Sequence, residues 1–401
     1  MKSVLVLGGD GFCGWPTALH LSANGYRVGI LDNLSRRRID DELNTESLTP
    51  ISTIKERVTA WKAVSGQDIE YRYIDMARNF DGLKFVLETF RPDAVVHFAE
   101  QRSAPYSMRS SFTKRYTIDN NIRGTHNLLV AIVDLNADIQ LVHLGTMGVY
   151  GYDGVEGEIP DGYLDVIVKG AQGQEYHHSI LFPTRPGSVY HTTKSMDQLL
   201  FQFYASNDDL RITDLHQGIV WGTQTEETRR DDTLINRFDY DGDYGTVLNR
   251  FLMQAVVGHD LTVHGTGGQT RAFIHIQDTV RCIRLAIENP PNRGDRVRIF
   301  NQIAETQRVR DLAEKVAAMT GARIANVDNP RKEAAENELT VSNAAFRSLG
   351  FDPILLDDAL FTETMEIAER FKSRYDPSKV AARSLWTRRQ KPGVVKGDEN
   401  G

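Results

Sequence analysis

Three side chains in the middle of the chain could together move a proton and a hydride. Tyr190 and Lys194 stand four residues apart in a stretch that predicts a helix, which would place the phenol and the ammonium on one face. Because a nearby positive charge favours phenolate, we expect Lys194 to lower the pKa of Tyr190. Such a phenolate could accept the proton of a substrate hydroxyl while a hydride leaves the same carbon. Thr146, at the end of a predicted strand, could bind that hydroxyl.

A glycine-rich turn near the start of the chain predicts a dinucleotide site. Gly8, Gly11 and Gly14 lie between a predicted strand and a predicted helix. Glycines there allow a tight turn, close approach of the backbone to a pyrophosphate, and close packing of the helix. The pyrophosphate would meet N–H groups at the helix N-terminus. A strand-turn-helix joint without a ligand also needs glycines, so the spacing alone is weak evidence.

The acidic residue after the second predicted strand favours NAD over NADP. Asp32 can accept hydrogen bonds from the ribose hydroxyls and would repel a 2′-phosphate. The run Arg36–Arg38 argues the other way, since arginines can bind that phosphate. We expect NAD, with an arginine beside the adenine. Besides the three glycines, the predicted cofactor contacts are Asp10, Phe12, Cys13, Asp32, Asn33, Arg36, Asp75, Met76, Arg102, Asn120, Tyr190, Lys194 and Val220.

Alternating strand-like and helical stretches must position these residues. Apolar runs such as 3–7, 94–98 and 140–144 are typical of strands buried on both faces of a sheet. Strands that alternate with helices predict an α/β fold with a Rossmann-like doubly wound parallel sheet. We predict an NAD-binding domain over 1–222, to which 275–300 returns, and a smaller C-terminal mixed α/β domain over 223–389 that binds the substrate. An insertion at 39–66 separates two strands, and 390–401 is predicted to be a disordered tail.

Composition excludes several classes of function. The chain has 401 residues and a formal net charge of −7, which argues against nucleic acid as the main partner. Two cysteines, Cys13 and Cys282, are too few for a disulfide framework and fit a reducing compartment. No apolar run is long enough to span a membrane. We therefore expect a cytoplasmic protein, or one of the plastid stroma whose targeting segment has been removed.

Taken together, the motifs resemble the extended short-chain dehydrogenase/reductases, which act mostly on nucleotide sugars. The glycine loop, the Thr146, Tyr190 and Lys194 set, a helix asparagine at 120 or 121, and the stretch 265–278 carry this resemblance. It implies bound NAD and a homodimer formed by two long helices, here 107–133 and 190–206. The predicted substrate contacts are Arg102, Thr146, Gln217, Arg250, Gln269 and Arg271.

Several segments are similar to one subfamily of these enzymes, the UDP-sulfoquinovose synthases. They include 8–15, 46–51, 100–108, 144–148 and 267–271, whereas the similarity weakens at 152–187. The resemblance implies UDP-glucose and sulfite as reactants: oxidation at C4 with NAD, loss of water across C5 and C6, sulfite addition at C6, and reduction at C4. We also place the chain among the hydrolases. The alternatives are a C4 epimerase, a 4,6-dehydratase, or a non-catalytic NAD-sensing binding protein.

The acid/base for the loss of water is left open by the sequence. Related sugar 4,6-dehydratases carry Asp-Glu directly after the threonine, where this chain has Met147-Gly148. His191 and Glu100 are candidates, and of these we predict His191 as catalytic. Arg102 could offset the charge of the cofactor phosphates or of sulfite. The pair at 177–178 is interpreted as a solvated loop, and no metal site is predicted.

Overall fold

The computed structural model describes residues 2–151, 157–356, 358–384 and 386. The tail predicted to be disordered, 390–401, lies outside the described residues, as do 152–156 of the divergent segment. Every helix in the described ranges is too short or too polar to cross a lipid bilayer.

Strands and helices alternate through the first half of the chain. The strands there are β1 (Ser3–Leu7), β2 (Arg27–Asp32), β3 (Ile69–Tyr73), β4 (Ala94–His97), β5 (Gln140–Leu144), β6 (Glu158–Ile159), β7 (Tyr163–Lys169), β8 (Glu175–Leu181), β9 (Ile212–Gln217) and β10 (Ile219–Trp221). The helices are α1 (Gly14–Ala23), α2 (Ser35–Leu43), α3 (Ile54–Ser65), α4 (Phe80–Phe90), α5 (Ala104–Ser107), α6 (Ser111–Asp134) and α7 (Val189–Asn207).

The second half is more mixed. Its strands are β11 (Leu261–His264), β12 (Gly268–His275), β13 (Arg298–Gln302), β14 (Glu305–Arg308), β15 (Ile324–Val327), β16 (Glu336–Asn337) and β17 (Thr340–Val341). Its helices are α8 (Val247–Val256), α9 (Ile276–Glu288), α10 (Val309–Thr320), α11 (Ala344–Ser348) and α12 (Asp358–Phe371).

A seven-stranded parallel sheet forms the centre of the fold. Its order is β13-β9-β5-β4-β1-β2-β3, and all of its strand pairs are parallel. The sequence changes direction at β1, and at such switch points parallel sheets bind ligands beyond the carboxyl ends of their strands. The predicted Rossmann-like fold class is confirmed. Smaller sheets follow β9, among them β10-β12-β14 and β11-β15. The division at residue 222 stays a prediction.

Helix α7 carries the predicted catalytic pair and begins where the sequence provides a cap. The Ser188 hydroxyl accepts a hydrogen bond from the backbone N–H of His191 at 3.2 Å. Because Ser188 is the N-cap, Tyr190 and Lys194 fall in the first turns of the helix, close to the carboxyl edge of the sheet. The start of the helix therefore fixes the position of both side chains relative to the carboxyl edge of the sheet.

The segment at 177–178 is not the loop that we expected. His177 and His178 lie in strand β8, which pairs antiparallel with β7 in an exposed hairpin. The β-branched residues of β7 and the turn at 170–173 favour this hairpin, although the polar composition of β8 does not indicate a strand. Both histidine side chains are exposed.

The insertion between β2 and β3 packs against a later loop, residues 235–245, which we term the strap. The backbone N–H of Leu48 donates to Phe238 O at 2.9 Å, and the Thr49 hydroxyl donates to Asn236 O at 2.7 Å. Asn236 in turn donates to Phe12 O at 2.9 Å. The insertion therefore holds the strap over the glycine-rich turn.

Candidate active site

A cavity of about 380 Å³ opens beyond the carboxyl ends of β1, β4 and β5. Many of the residues predicted from the sequence line it: Gly8, Gly11, Phe12, Cys13, Gly14, Arg36, Arg102, Thr146, Tyr190, His191, Lys194, Gln217, Val220, Arg250, Gln269 and Arg271. The glycine-rich turn, the Thr146, Tyr190 and Lys194 set and the predicted substrate contacts thus line one cavity, although they come from distant parts of the chain.

Thr146 is oriented by the turn that follows β5. Its Oγ1 accepts a hydrogen bond from the backbone N–H of Gly148 at 3.1 Å. A hydroxyl is both donor and acceptor, so its hydrogen is left to donate into the cavity. This is the orientation needed to bind a substrate oxygen.

Lys194 is paired inside the protein. Its Nζ lies 2.6 Å from Leu144 O and 2.8 Å from Glu100 Oε2, and both charged side chains are almost completely buried. The His143 Nε2 atom lies 3.0 Å from the same Nζ and 3.1 Å from Glu100 Oε1. Lys194 therefore has a fixed position, and its charge has a partner.

Lys194 lowers the pKa of Tyr190 as expected, but burial outweighs its effect. Burial raises the pKa of the Tyr190 phenol to about 12; the Lys194 charge lowers it, and the Glu100 carboxylate opposes Lys194. Tyr190 is a neutral phenol unless further positive charge is placed beside it.

His191 occupies space that another residue type at 148 would need. A Cβ on Gly148 would lie 2.2 Å from the Cδ2 and Nε2 atoms of the His191 ring. The other ring nitrogen, Nδ1, is 3.0 Å from the Ser188 hydroxyl. Burial, with Arg331 and Arg271, lowers the pKa of His191 to about 3, so the imidazole is neutral and is a weak base in this structure.

Glu100, the other candidate for the acid/base, is bound differently. Burial alone would raise its pKa, but the Lys194 ammonium and His143 hold that pKa well below its usual range. Its Oε1 atom also accepts from the Thr125 hydroxyl at 3.3 Å. The pKa values of both candidates are lowered, so basicity does not select one of them; His191 differs in lying against Gly148, the second residue after Thr146.

The glycine-rich turn fits a dinucleotide. A Cβ at Gly14 would lie 2.1 Å from Gly8 O, so α1 can approach β1 only with glycine there. A Cβ at Gly11 would meet only Gly8 O, at 3.2 Å, and the Gly11 backbone is otherwise open to the cavity. This cradle and the N-terminus of the ten-residue helix α1 suit a pyrophosphate.

The arginine run after β2 is occupied by protein partners. Arg37 donates to both carboxylate oxygens of Asp10, at 2.6 and 2.8 Å, and Arg36 donates to Asp40 and Asp239. Arg38 donates to Asn33 O. Asp32 ends β2 and accepts from Asp10 N and Leu34 N. Because Asp32 is acidic and the three arginines already bind protein groups, the site favours NAD over NADP.

Arg102 is tied to the strap. Its Nη2 atom lies 2.8 Å from Asp239 Oδ2, and the same carboxylate accepts from Arg36 and Arg237. The Arg36 guanidinium stacks 3.7 Å from the centre of the Tyr244 ring. Sequence reasoning missed Asp239 and Tyr244, and the alternating acidic residues at 239, 241 and 243 are the signal that could have indicated them.

Six predicted cofactor contacts lie outside the cavity wall: Asp10, Asp32, Asn33, Asp75, Met76 and Asn120. The Asp75 carboxylate accepts from the N–H groups of Ala77 and Arg78, and the Asn120 amide donates to Asn121. Of the two helix asparagines, Asn121 is the buried one, and it bonds both backbone groups of Gln101. The cofactor roles of the six residues stay predictions.

The predicted substrate contacts form the far side of the cavity. Arg250 donates to Thr262 at 2.8 Å, and burial lowers its pKa to about 10; its Nε has no hydrogen-bond partner within the described residues. Arg271 bonds Glu333, and the Gln217 amide donates to Gln302. The buried guanidinium of Arg250 is the clearest site here for an anionic group.

Glu100, His143 and Asp197 offer metal-ligand atoms within 4.8 Å of one another. The Lys194 ammonium, however, lies among them and already supplies a positive charge 2.8 Å from Glu100. A further cation would be repelled at this distance. We assign no metal to this cluster.

Comparison with known proteins identifies the family. The family model described as "NAD dependent epimerase/dehydratase family" matches residues 4–301. The chain is 42% identical to the chloroplastic UDP-sulfoquinovose synthase of Spinacia oleracea over 390 residues, which cover 96% of this chain and 79% of the relative. It is 39% identical to the UDP-sulfoquinovose synthase of Sulfolobus acidocaldarius, with 92% and 95% covered.

Solved structures share the fold at low sequence identity. The UDP-glucose 4-epimerase of Thermotoga maritima, solved with UDP-glucose, has a TM-score of 0.66 at 19% identity, and the match covers 93% of this chain and 99% of that one. The dTDP-glucose 4,6-dehydratase of Bacillus anthracis, solved with NAD, also has a TM-score of 0.66, at 16% identity, with 94% and 99% covered.

These relatives correct one prediction and confirm another. Hydrolase is the wrong reaction class, because the relatives are named as synthases, dehydratases and epimerases. The prediction of NAD as cofactor is confirmed by the family description and by relatives solved with NAD. The chain belongs to the NAD dependent epimerase/dehydratase family and, within it, to the UDP-sulfoquinovose synthases.

Proposed function

We propose that this chain forms UDP-sulfoquinovose from UDP-glucose and sulfite. The observation that carries the proposal is that Thr146, Tyr190 and Lys194 line one cavity together with a neutral His191, which lies against Gly148. The first three side chains serve hydride chemistry at C4. The fourth supplies an acid/base where the Asp-Glu pair expected of a 4,6-dehydratase is missing.

The residues divide the reaction between them. NAD held at the glycine-rich turn would supply reversible hydride transfer at C4. Thr146 orients the C4 hydroxyl, and Tyr190 takes its proton, which leaves a C4 ketone. The ketone acidifies the C5 hydrogen, and His191 accepts that proton and delivers it to the C6 hydroxyl, which leaves as water. Sulfite, entering as HSO3−, then bonds through sulfur to C6 of the enone while its proton passes to C5, and Tyr190 returns its proton to O4 as the hydride returns to C4.

Binding roles follow from charge. Arg250, Gln269 and Arg271 would hold the diphosphate, and the glycine-rich turn would hold the cofactor pyrophosphate. Arg102, fixed by Asp239, would offset negative charge near the cofactor phosphates or sulfite. Asp32 would accept from the ribose, consistent with its place at the end of β2.

A homodimer is part of the proposal. Helices α6 and α7 pack together, and α7 exposes Met196, Leu199 and Phe203 at the spacing of one helix face. Leu199 and Phe203 are 65% and 55% exposed, unusual for such large apolar side chains. Light scattering after gel filtration tests this: Leu199→Glu should yield monomers, and an unchanged mass would reject this face.

We also infer a location in the cytoplasm or the plastid stroma; the spinach relative is named as chloroplastic.

The test of function is incubation of the NAD-bound protein with UDP-glucose, with and without sulfite, followed by mass spectrometry. A nucleotide sugar that gains a sulfonate only when sulfite is present supports the proposal. Its absence in protein that retains NAD refutes it, and formation of UDP-galactose without sulfite would indicate an epimerase. Tyr190→Phe is the matched control, because removal of the phenolic oxygen should abolish the transient absorbance of NADH. A non-catalytic NAD-sensing protein would show neither signal.

A further inference from the structure

Behind the cavity, titratable side chains stand in one row across the sheet. The strand register places His97 of β4 beside His143 of β5, and His143 beside Asp214 of β9. His143 Nδ1 lies 2.8 Å from Asp214 Oδ1, and its Nε2 lies 3.1 Å from Glu100 Oε1. All three side chains of the row are almost completely buried. Through its contact with His143, this row holds the Glu100 carboxylate in place.

Glu100 links this row to the cavity. Its Oε2 atom is 2.8 Å from Lys194 Nζ, and Lys194 also donates to Leu144 O at 2.6 Å. The ammonium lies 6.0 Å from the centre of the Tyr190 ring. The carboxylate therefore acts on the phenol through the lysine, and it does not need to touch the substrate.

The charges that face Tyr190 come from several elements. Burial raises the pKa of the phenol, Lys194 and Arg102 lower it, and Glu100 and Asp197 raise it. His191, on the same helix, is neutral because burial lowers its pKa to about 3. Burial and Glu100 together raise the pKa of Asp197 well above its usual range, so that carboxyl is a weak source of charge. Glu100 is thus the main negative charge on the phenol.

We propose that Glu100 is a positioning residue that anchors Lys194 and balances its charge, so that Tyr190 keeps the substrate proton between the two hydride transfers. This inference rests on the proposed function, in which water loss and sulfite addition separate the oxidation at C4 from the reduction at C4. A phenol that lost its proton during those steps could not return it to O4. Tyr190 loses its proton only when a further positive charge, such as an oxidised nicotinamide, lies beside it.

The steps balance with the bound nicotinamide as the hydride acceptor and donor. In the oxidation, the C4–H bond breaks with its electron pair leaving as hydride, and the O4 proton moves to the Tyr190 oxygen. In the reduction, the hydride returns to C4 and the same phenol protonates O4. Glu100 exchanges neither a proton nor an electron in these steps, and its charge acts only on the pKa of Tyr190.

The test is a titration of the Tyr190 phenol by tyrosinate absorbance, taken as the difference between each protein and the same protein with Tyr190→Phe. Glu100→Gln keeps the shape of the side chain and removes its charge. At an effective dielectric constant of about 20, loss of a charge several ångströms away should lower the titration midpoint by about one pH unit or more. The pH profile of NADH formation from UDP-glucose should move in the same direction.

Glu227→Gln is the matched control, since Glu227 is also buried and paired, with His20 at 2.9 Å, and lies outside the cavity wall. The Tyr190 midpoint should not move in that variant. An unchanged midpoint in folded Glu100→Gln overturns the proposal. If Glu100→Gln does not fold, Glu100→Asp keeps the charge but withdraws it from Lys194; a smaller fall is then expected, and no fall overturns the proposal. The titration uses neither UDP-glucose nor sulfite, so its outcome is separate from that of the sulfonate assay.

Discussion

Replacing Gly148 by alanine tests whether the placement of His191 carries the loss of water. The new Cβ would lie 2.2 Å from the imidazole, against about 3.4 Å for an ordinary contact, so the ring must move by about 1.2 Å. His191 is buried, and Nδ1 is held 3.0 Å from the Ser188 hydroxyl, so the ring cannot move that far and keep this contact. A misplacement of about 1 Å at a reacting group costs roughly 10²-fold in rate.

The assay separates two parts of the reaction. Sulfosugar formation, followed by mass spectrometry, should fall about 10²-fold in Gly148→Ala. The NADH absorbance after addition of UDP-glucose should persist, because Tyr190 and Lys194 are unchanged. Overpacking should also cost about 1–3 kcal/mol of unfolding free energy, measured in urea. Rates are therefore compared only where the variant is folded.

Gly124→Ala is the control for an added methyl group. Its Cβ would meet Met76 at 3.5 Å, an ordinary contact, in the middle of helix α6. The variant should be active and, if anything, slightly more stable, because alanine favours the helix. Sulfosugar formation by Gly148→Ala at the wild-type rate would refute the assignment of His191 as the acid/base.

Three further variants test the cofactor site and the histidine environment. Gly14→Ala should lose bound NAD at least about tenfold, measured as NAD content after purification, because its Cβ would lie 2.1 Å from the backbone of Gly8; full NAD content would contradict the cradle. Asp239→Asn should cost about 3–5 kcal/mol in urea unfolding, since it leaves buried arginines without their carboxylate, and a neutral result would show that the strap is held otherwise. Burial, with Arg229 and Arg281, lowers the pKa of His275 to about 3, so its contribution to stability is complete above about pH 6.5 and is lost as the pH falls towards 3. His275→Asn keeps the acceptor for the helix N-terminus and should reduce the dependence of stability on pH by about 1.4 kcal/mol per unit between these limits; an unchanged slope would contradict a neutral His275.

The central sheet was predictable because its strands are buried on both faces. The apolar run 3–7 and the strand-like run 140–144 match observed strands, and the glycine-rich turn marks the first crossover. The start of α6 was not predictable in the same way. Its N-cap is Ser110, reciprocally bonded to Thr113 where a glutamate or glutamine would be the usual signal. The polar hairpin of β7 and β8 was missed because neither strand has a buried face that would impose alternation.

The site was predictable where a motif brings its residues together within one element, and less so elsewhere. Tyr190 and Lys194 share a helix, so their spacing alone implied a common face. Arg102 and Asp239 are 137 residues apart, and only the packing of the strap brings them together. The buried row behind Lys194 left one signal in the sequence: His143 lies between Val142 and Leu144 in one predicted strand, and Asp214 precedes Leu215 in another. A buried charge there needs a partner.

Two histidines near Lys194 show why residue type could not settle the mechanism. Burial lowers the pKa of both, and for His191 the nearby Arg331 and Arg271 add to that effect, so the pKa falls to about 3. For His143, burial and Lys194 are outweighed by the Asp214 and Glu100 carboxylates, and the pKa rises to about 9. One imidazole is therefore neutral on the cavity wall, and the other is a buried cation that fixes a carboxylate. Their charges follow from neighbours that are distant in the sequence, so residue type alone does not give the charge of either ring.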